Sequence, residues 1–249
     1  MTPDSSSLQK LVHENQKLRA ELAIAQQWIG REVSEIRMRK VKQETMHSTR
    51  KSLQEGEDDI RSRIHKYFGG ARAFLSEENE DLLVESEINF QHLARKKDLD
   101  ALMVTNVYQK ILENIFEEHM TRHFREKHGR SRLHPSKNDL LEKTLYKVMH
   151  DWFHLSIGKI YQIFERMVMG KSGDLIELFR DSIDALPLSQ ALNDSEFWEL
   201  FTDLIETKAF GEKRHAGKIS FQDARFIRES VTGNYEEEGL LKILFKYLG

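Results

Sequence analysis

Two pairs of histidines are the residues of this sequence best suited to chemistry. Each pair spans one helical turn, and the pairs are His119 with His123 and His150 with His154. On a helix this spacing places both imidazoles on one face, as binding of zinc or iron requires. A neighbouring carboxylate such as Asp151 would complete the ligand set. A metal-dependent helical enzyme is therefore one alternative function.

The expected pairing of the helices argues against a shared metal site. If the two helices that carry the pairs form a hairpin whose turn is centred on Arg132, the two pairs do not lie opposite each other. They are offset by about five residues, or ~7 Å along the helix axis. The chain also holds eleven histidines, so two pairs by chance are unsurprising. We interpret them as ordinary histidines of the domain and predict no cofactor.

A basic segment, residues 122–137, lies at the predicted turn between these helices. It holds six Lys or Arg and three His against one acid. Such a patch binds phosphates by replacing their condensed counterions. The candidate contacts to an anion or a nucleic acid are Arg122, Arg125, Lys127, Arg130 and Arg132.

A second basic segment, residues 31–51, holds seven Lys or Arg against three Glu. Together the two segments predict, as the first alternative, a nucleic-acid-associated protein such as a regulator, segregation factor or packaging factor. Charge runs are more often solvated surfaces. In the segment 122–137, Phe124 is the only aromatic residue, whereas single-strand binding usually needs several aromatic side chains.

Other catalytic signatures are weak or missing from the sequence. Gly170-Lys171-Ser172 resembles the end of a phosphate-binding loop, but Glu165 stands where that loop needs its first glycine. The chain has no cysteine, which excludes disulfides and thiolate nucleophiles. We therefore predict that the protein is not an enzyme.

The elements that position these residues begin with a short zipper near the N-terminus. Its seam is apolar except for one Asn at an a position, the pattern of a two-stranded parallel coiled coil in which the amides pair and set the register. The predicted dimerisation residues are Leu8, Leu11, Asn15, Leu18, Leu22 and Ile29. The chain is therefore its own first predicted partner, as a parallel homodimer.

The rest of the chain shows helical periodicity throughout. Long helices over 98–127 and 137–169, the second capped by Ser136, predict an antiparallel hairpin. Ser76 is the predicted cap of a preceding helix. Shorter helices are predicted at 174–185, 195–208, 221–230 and 235–248, with caps at Asn193 or Asp194 and at Ser220.

The last helix has an apolar stripe that fits either a partner's groove or the domain's own core. We favour the core, because an exposed stripe of this size promotes aggregation. The aromatic cluster of Phe197, Trp198 and Phe201 poses the same choice and receives the same interpretation.

These patterns predict an all-α protein with a coiled-coil dimerisation arm, residues 1–70, and a partner-binding helical domain, residues 71–249. No run approaches the ~20 apolar residues of a membrane span, and the net charge of −3 gives no overall attraction to anionic lipid. We predict a cytoplasmic homodimeric adaptor or regulatory scaffold that binds an unidentified protein and no membrane.

Overall fold

A computed structural model divides the chain into two compact units, residues 1–53 and 54–249. The structure describes residues 33, 34, 36, 38, 56–96, 98–170, 173–207, 210, 218–234 and 237–248. The predicted dimerisation residues lie outside this set. So does the basic segment 31–51, apart from four helical residues, 33, 34, 36 and 38, none of which is basic.

Every regular element in the described part of the second unit is a helix. The α-helices are α1 (56–68), α2 (Glu77–Arg95), α3 (Leu102–Phe116), α4 (Arg122–His128), α5 (Leu140–His150), α6 (Ile157–Val168), α7 (Asp174–Ile183), α8 (Ser195–Glu206), α9 (Phe221–Thr232) and α10 (Leu240–Leu248). Two 3-10 helices, Gly69–Phe74 and Pro187–Asn193, and a π-helical turn, Glu117–Thr121, complete the fold. Among these described helices, none has the length and apolar character needed to cross a membrane.

Helix α1 belongs to the core of the second unit. Ile60, Ile64 and Phe68 recur every four residues, so they lie on one face, and all three are buried in the hydrophobic core. The boundary predicted at residue 70 therefore falls inside the second unit. This apolar stripe was not predicted as part of the core, because the residues that precede Ile60 are polar.

The predicted hairpin differs from the structure in its second helix. The first helix runs nearly as expected, as α3, the π-helical turn and α4. The predicted helix 137–169 is divided into α5 and α6 by a non-helical segment, residues 151–156. Its predicted cap, Ser136, is replaced by Asp139, whose carboxylate accepts hydrogen bonds from the backbone N–H groups of Leu141 and Glu142 at 3.0 and 3.1 Å.

Three other predicted caps are confirmed. Ser76 accepts a hydrogen bond from the backbone of Asn79 at the start of α2. Asp194 caps α8. Ser220 and Asp223 form a complete capping box at the start of α9. These local signals were readable because each depends on residues three positions apart or fewer.

The C-terminal helix covers the domain's own core. Its large apolar residues Leu240, Leu241, Ile243, Leu244 and Phe245 are all buried. Phe197 and Phe201 are also buried, and the indole N–H of Trp198 donates to the carbonyl of Leu192 at 2.7 Å. The structure thus confirms that both apolar clusters pack on the domain's own core, with Trp198 and Leu248 partly buried against it.

A buried carboxylate, Glu80, joins α1, the following 3-10 helix and α2. It accepts hydrogen bonds from Arg61 and Arg72 at 2.7 Å each and lies 2.8 Å from the imidazole of His65. Burial by itself raises the pKa of Glu80, but the bonds from Arg72, His65 and Arg61 outweigh that effect and lower the pKa from 4.5 to about 2.

This lowered pKa predicts a specific loss of stability in acid. Because the folded pKa lies below the unfolded one, the ionised carboxylate stabilises the fold above about pH 4.5, and that stabilisation disappears as the pH falls towards 2. We expect Glu80 to contribute about 1–3 kcal/mol at pH 7, allowing for solvent around its partly exposed partners. Urea unfolding of the wild type and of Glu80→Gln between pH 6 and pH 3 measures how this contribution changes with pH. Parallel pH profiles for the two proteins would refute the assignment.

Candidate functional site

A π-helical turn, Glu117–Thr121, interrupts the long helix formed by α3 and α4. Such turns are rare and are frequent at functional sites. The hydroxyl of Thr121 donates to the carbonyl of Phe116 at 3.3 Å, which supports the widened turn from inside the fold. The turn begins with Glu117, whose carboxylate faces the next helical segment.

That carboxylate holds a buried arginine. Arg125, on α4, is only 5% exposed, and its Nη1 and Nη2 atoms lie 2.8 and 3.3 Å from the two oxygens of Glu117. Its Nε donates to the carbonyl of Val148 on α5 at 3.0 Å. The guanidinium therefore ties the π-helical turn, α4 and α5 together, and its charge is compensated inside the protein.

The segment between α5 and α6, residues 151–156, is here called the aromatic loop. Trp152 has φ 52°, in the left-handed region, where a bulky side chain is strained. The residue is nevertheless 70% exposed, and the Cζ atom of Arg125 lies 4.7 Å from the centroid of the Trp152 ring. An exposed tryptophan is thus held in an unfavourable backbone conformation over a buried cation.

The next two residues of the loop are also exposed. Phe153 lies beside Lys147, whose Nζ atom is 6.0 Å from the ring centroid. His154 is exposed, and its Nδ1 atom lies 3.6 Å from Oε2 of Glu117. The aromatic loop therefore presents three consecutive rings, two of them next to a basic side chain.

Both ends of the aromatic loop are anchored. The backbone N–H of Asp151 donates to the carbonyl of Lys147 at 2.7 Å, which closes α5. At the other end, the first N–H of α6, from Ile157, donates to the carboxylate of Glu113 on α3 at 2.9 Å. Gln109 also donates to that carboxylate, at 2.7 Å. The loop is short and held at each end, so its exposed rings are presented by a defined backbone.

Cations dominate the exposed surface from residue 122 to residue 154. Seven Lys or Arg residues are exposed there against two acids, Glu126 and Asp151. The cations are Arg122, Lys127, Arg130, Arg132, Lys137, Lys143 and Lys147. Because the whole chain carries a net charge of −3, this stretch of exposed residues is basic within a slightly acidic protein.

Four of the five predicted anion contacts are exposed: Arg122, Lys127, Arg130 and Arg132. Arg125 is the exception, because burial and its pairing with Glu117 remove its guanidinium from external anions. Its guanidinium lies against the ring of Trp152 instead. Arg125 was predicted at the surface because nothing local distinguishes it from its neighbours.

The four predicted metal-ligating histidines are not gathered into one site. His119 and His150 each have a buried Nε2 atom without a hydrogen-bond partner, and the ring of His150 packs 4.5 Å from that of Tyr146. Burial lowers the pKa of His119. In the part of the chain that the structure describes, no three His, Asp or Glu side chains lie close enough together to hold a metal ion.

The aromatic loop was not predicted as part of the candidate site. Trp152 and Phe153 lie outside the segment 122–137, and Trp152 reaches it only through the contact with Arg125. No local signal marked the loop, because Trp152 fits the apolar periodicity of the predicted helix 137–169. Comparison of the chain with protein-family models, with curated proteins and with solved structures finds no match.

Proposed function

We propose that the protein is a non-enzymatic homodimeric adaptor or regulatory scaffold whose helical unit recognises its partner through the aromatic loop. The observation that carries this proposal is Trp152, exposed and strained over the buried Arg125. A left-handed conformation at a bulky residue costs about 1–3 kcal/mol. A loop that served only to join α5 to α6 would gain stability by burying or relaxing this residue.

The chemistry of the exposed groups favours binding. Tryptophan and arginine are the residue types that contribute most to the binding energy of interfaces. The exposed tryptophan offers an apolar contact, and the exposed cations of residues 122–154 favour an anionic partner. A nucleic-acid-associated protein is therefore the second candidate function, favoured by the seven exposed cations between residues 122 and 154.

The dimeric part of the proposal rests on the zipper pattern around Asn15. Two copies would double the binding surfaces and raise the effective concentration at a partner with repeated sites. Light scattering at micromolar protein should give the mass of two chains, and Leu18→Pro should give that of one, because proline breaks a helix. A wild-type mass of one chain would remove the dimer from the proposal. The cytoplasmic location stays a prediction.

The binding proposal is tested by cross-linking and affinity capture in cells of the source organism. Wild-type protein is compared with Trp152→Ala/Phe153→Ala and with a control, Phe226→Ala, which removes an exposed ring from α9. We expect the double variant to lose at least one partner that the wild type and the control both retain. Identical partner sets for all three proteins would overturn the assignment of the aromatic loop as the binding surface.

A further inference from the structure

Trp152 is built as a platform for a flat ligand. The guanidinium of Arg125 covers part of one side of the indole, and Glu117 holds that guanidinium in place. The indole is still largely exposed, so a second planar group has room to stack on it. Every nucleobase has such a planar π face, and stacking on an aromatic side chain does not depend on the base sequence.

Cations on the neighbouring segments are available to the phosphates of the same ligand. Lys147 lies beside Phe153, the ring next to Trp152 in the chain. Arg122 lies one helical turn before Arg125 on α4, and Arg130 and Arg132 follow α4 in the adjoining exposed segment. Rings supplied by one loop and cations supplied by the adjoining helices are the combination that single-stranded nucleic acids require.

We propose that the aromatic loop and its surrounding cations bind single-stranded nucleic acid, with a base stacked on Trp152 and phosphates on the exposed Lys and Arg. This inference rests on the second candidate function, a nucleic-acid-associated protein, and specifies the form of nucleic acid that it binds. Single strands are favoured over duplexes because a base in a duplex has both faces covered by its neighbours. They are favoured over acidic polypeptides because every nucleotide supplies both a planar base for the indole and a phosphate for the cations.

The test uses the full chain and fluorescence anisotropy with labelled 20-nucleotide oligo(dT), oligo(U) and a DNA duplex. The variants are Trp152→Ala and Arg130→Glu/Arg132→Glu. The matched controls are Phe226→Ala for the loss of an exposed ring and Arg95→Glu/Lys96→Glu for the same charge change at an exposed site at the end of α2. Circular dichroism and urea unfolding confirm that each variant is folded.

We expect the wild type to bind the single strands more tightly than the duplex. Trp152→Ala should weaken single-strand binding by about 10-fold or more, as expected for the loss of one stacked base. Arg130→Glu/Arg132→Glu should weaken binding and also reduce its dependence on salt, since fewer counterions are released. Both control proteins should bind within about 2-fold of the wild type, because neither loses the proposed stacked base or a proposed phosphate contact.

Other results overturn the inference in distinguishable ways. Equal affinity for duplex and single strands, unchanged in Trp152→Ala, would show general electrostatic attraction. No binding to any oligonucleotide, combined with Trp152-dependent binding to poly-glutamate, would replace nucleic acid by an acidic protein segment and leave the proposed function intact. No binding to either probe would reject the anionic partner, and the capture experiment would then decide the proposed function by itself.

Discussion

Replacing Glu117 by alanine is expected to lower the free energy of unfolding by about 3–5 kcal/mol, the usual effect of removing one partner of a buried ion pair. Arg125 is 5% exposed and depends on Glu117 for charge compensation, with Val148 supplying only a carbonyl. Urea unfolding at pH 7 measures the loss. A decrease of less than about 1 kcal/mol in the free energy of unfolding would show that water solvates the guanidinium of Arg125, as it solvates the charges of exposed ion pairs.

A double variant separates the effect of the pair from that of the individual side chains. In Glu117→Ala/Arg125→Met no uncompensated charge remains buried, and we expect the double variant to recover at least half of the stability that Glu117→Ala loses. It also removes the cation beneath Trp152. If the proposed function is right, the double variant should remain folded but bind its partner less tightly than the wild type.

The substitution Gly239→Ala is expected to cost about 3 kcal/mol, at the upper end of overpacking effects. A β-bridge between Gly233 and Glu238 brings two chain segments together at the start of α10, and Gly233 has φ 83°. A Cβ atom on Gly239 would lie 2.6 Å from the carbonyl oxygen of Val231 and against the backbone of Gly233. These backbone atoms cannot move aside as a flexible side chain can.

Gly70→Ala is the matched control for this substitution. A Cβ atom at Gly70 meets nothing within 4 Å, and its backbone is not in the left-handed region. Because alanine restricts the unfolded chain, we expect a change of less than about 1 kcal/mol in either direction. Thermal unfolding of both variants compares them directly. If Gly239→Ala and Gly70→Ala lose similar stability, the close backbone contact at Gly239 is not the cause of the loss in Gly239→Ala.

The predicted and observed helices agree where the signal is local. The caps at Ser76, Asp194 and Ser220 were readable because each bonds to backbone within three residues. The burial of the C-terminal helix was also predicted, from the size of its apolar stripe. The predicted helix 137–169 was wrong at its centre because residues 151–156 contain no glycine or proline that would mark a break.

The candidate site was predicted only in part. Its exposed cations follow from the composition of the segment 122–137. The presence of rings at the site does not follow from that composition, because Trp152 contacts Arg125 of the segment in the folded chain and lies outside the segment in the sequence. The π-helical turn at Glu117 was not predicted either, because the spacing of four residues between Phe116, Met120 and Phe124 also fits one face of an α-helix.

The amino-acid sequence by itself determined the helical class, the positions of most helices and the excess of cations in the segment 122–137. These properties depend on residue types within a few positions of one another. Only the tertiary structure decided which arginine is buried, where the second hairpin helix breaks and which rings stand beside the cations. Those outcomes depend on contacts between residues 6 to 44 positions apart, from Lys147 with Phe153 to Glu113 with Ile157, which local spacing does not encode.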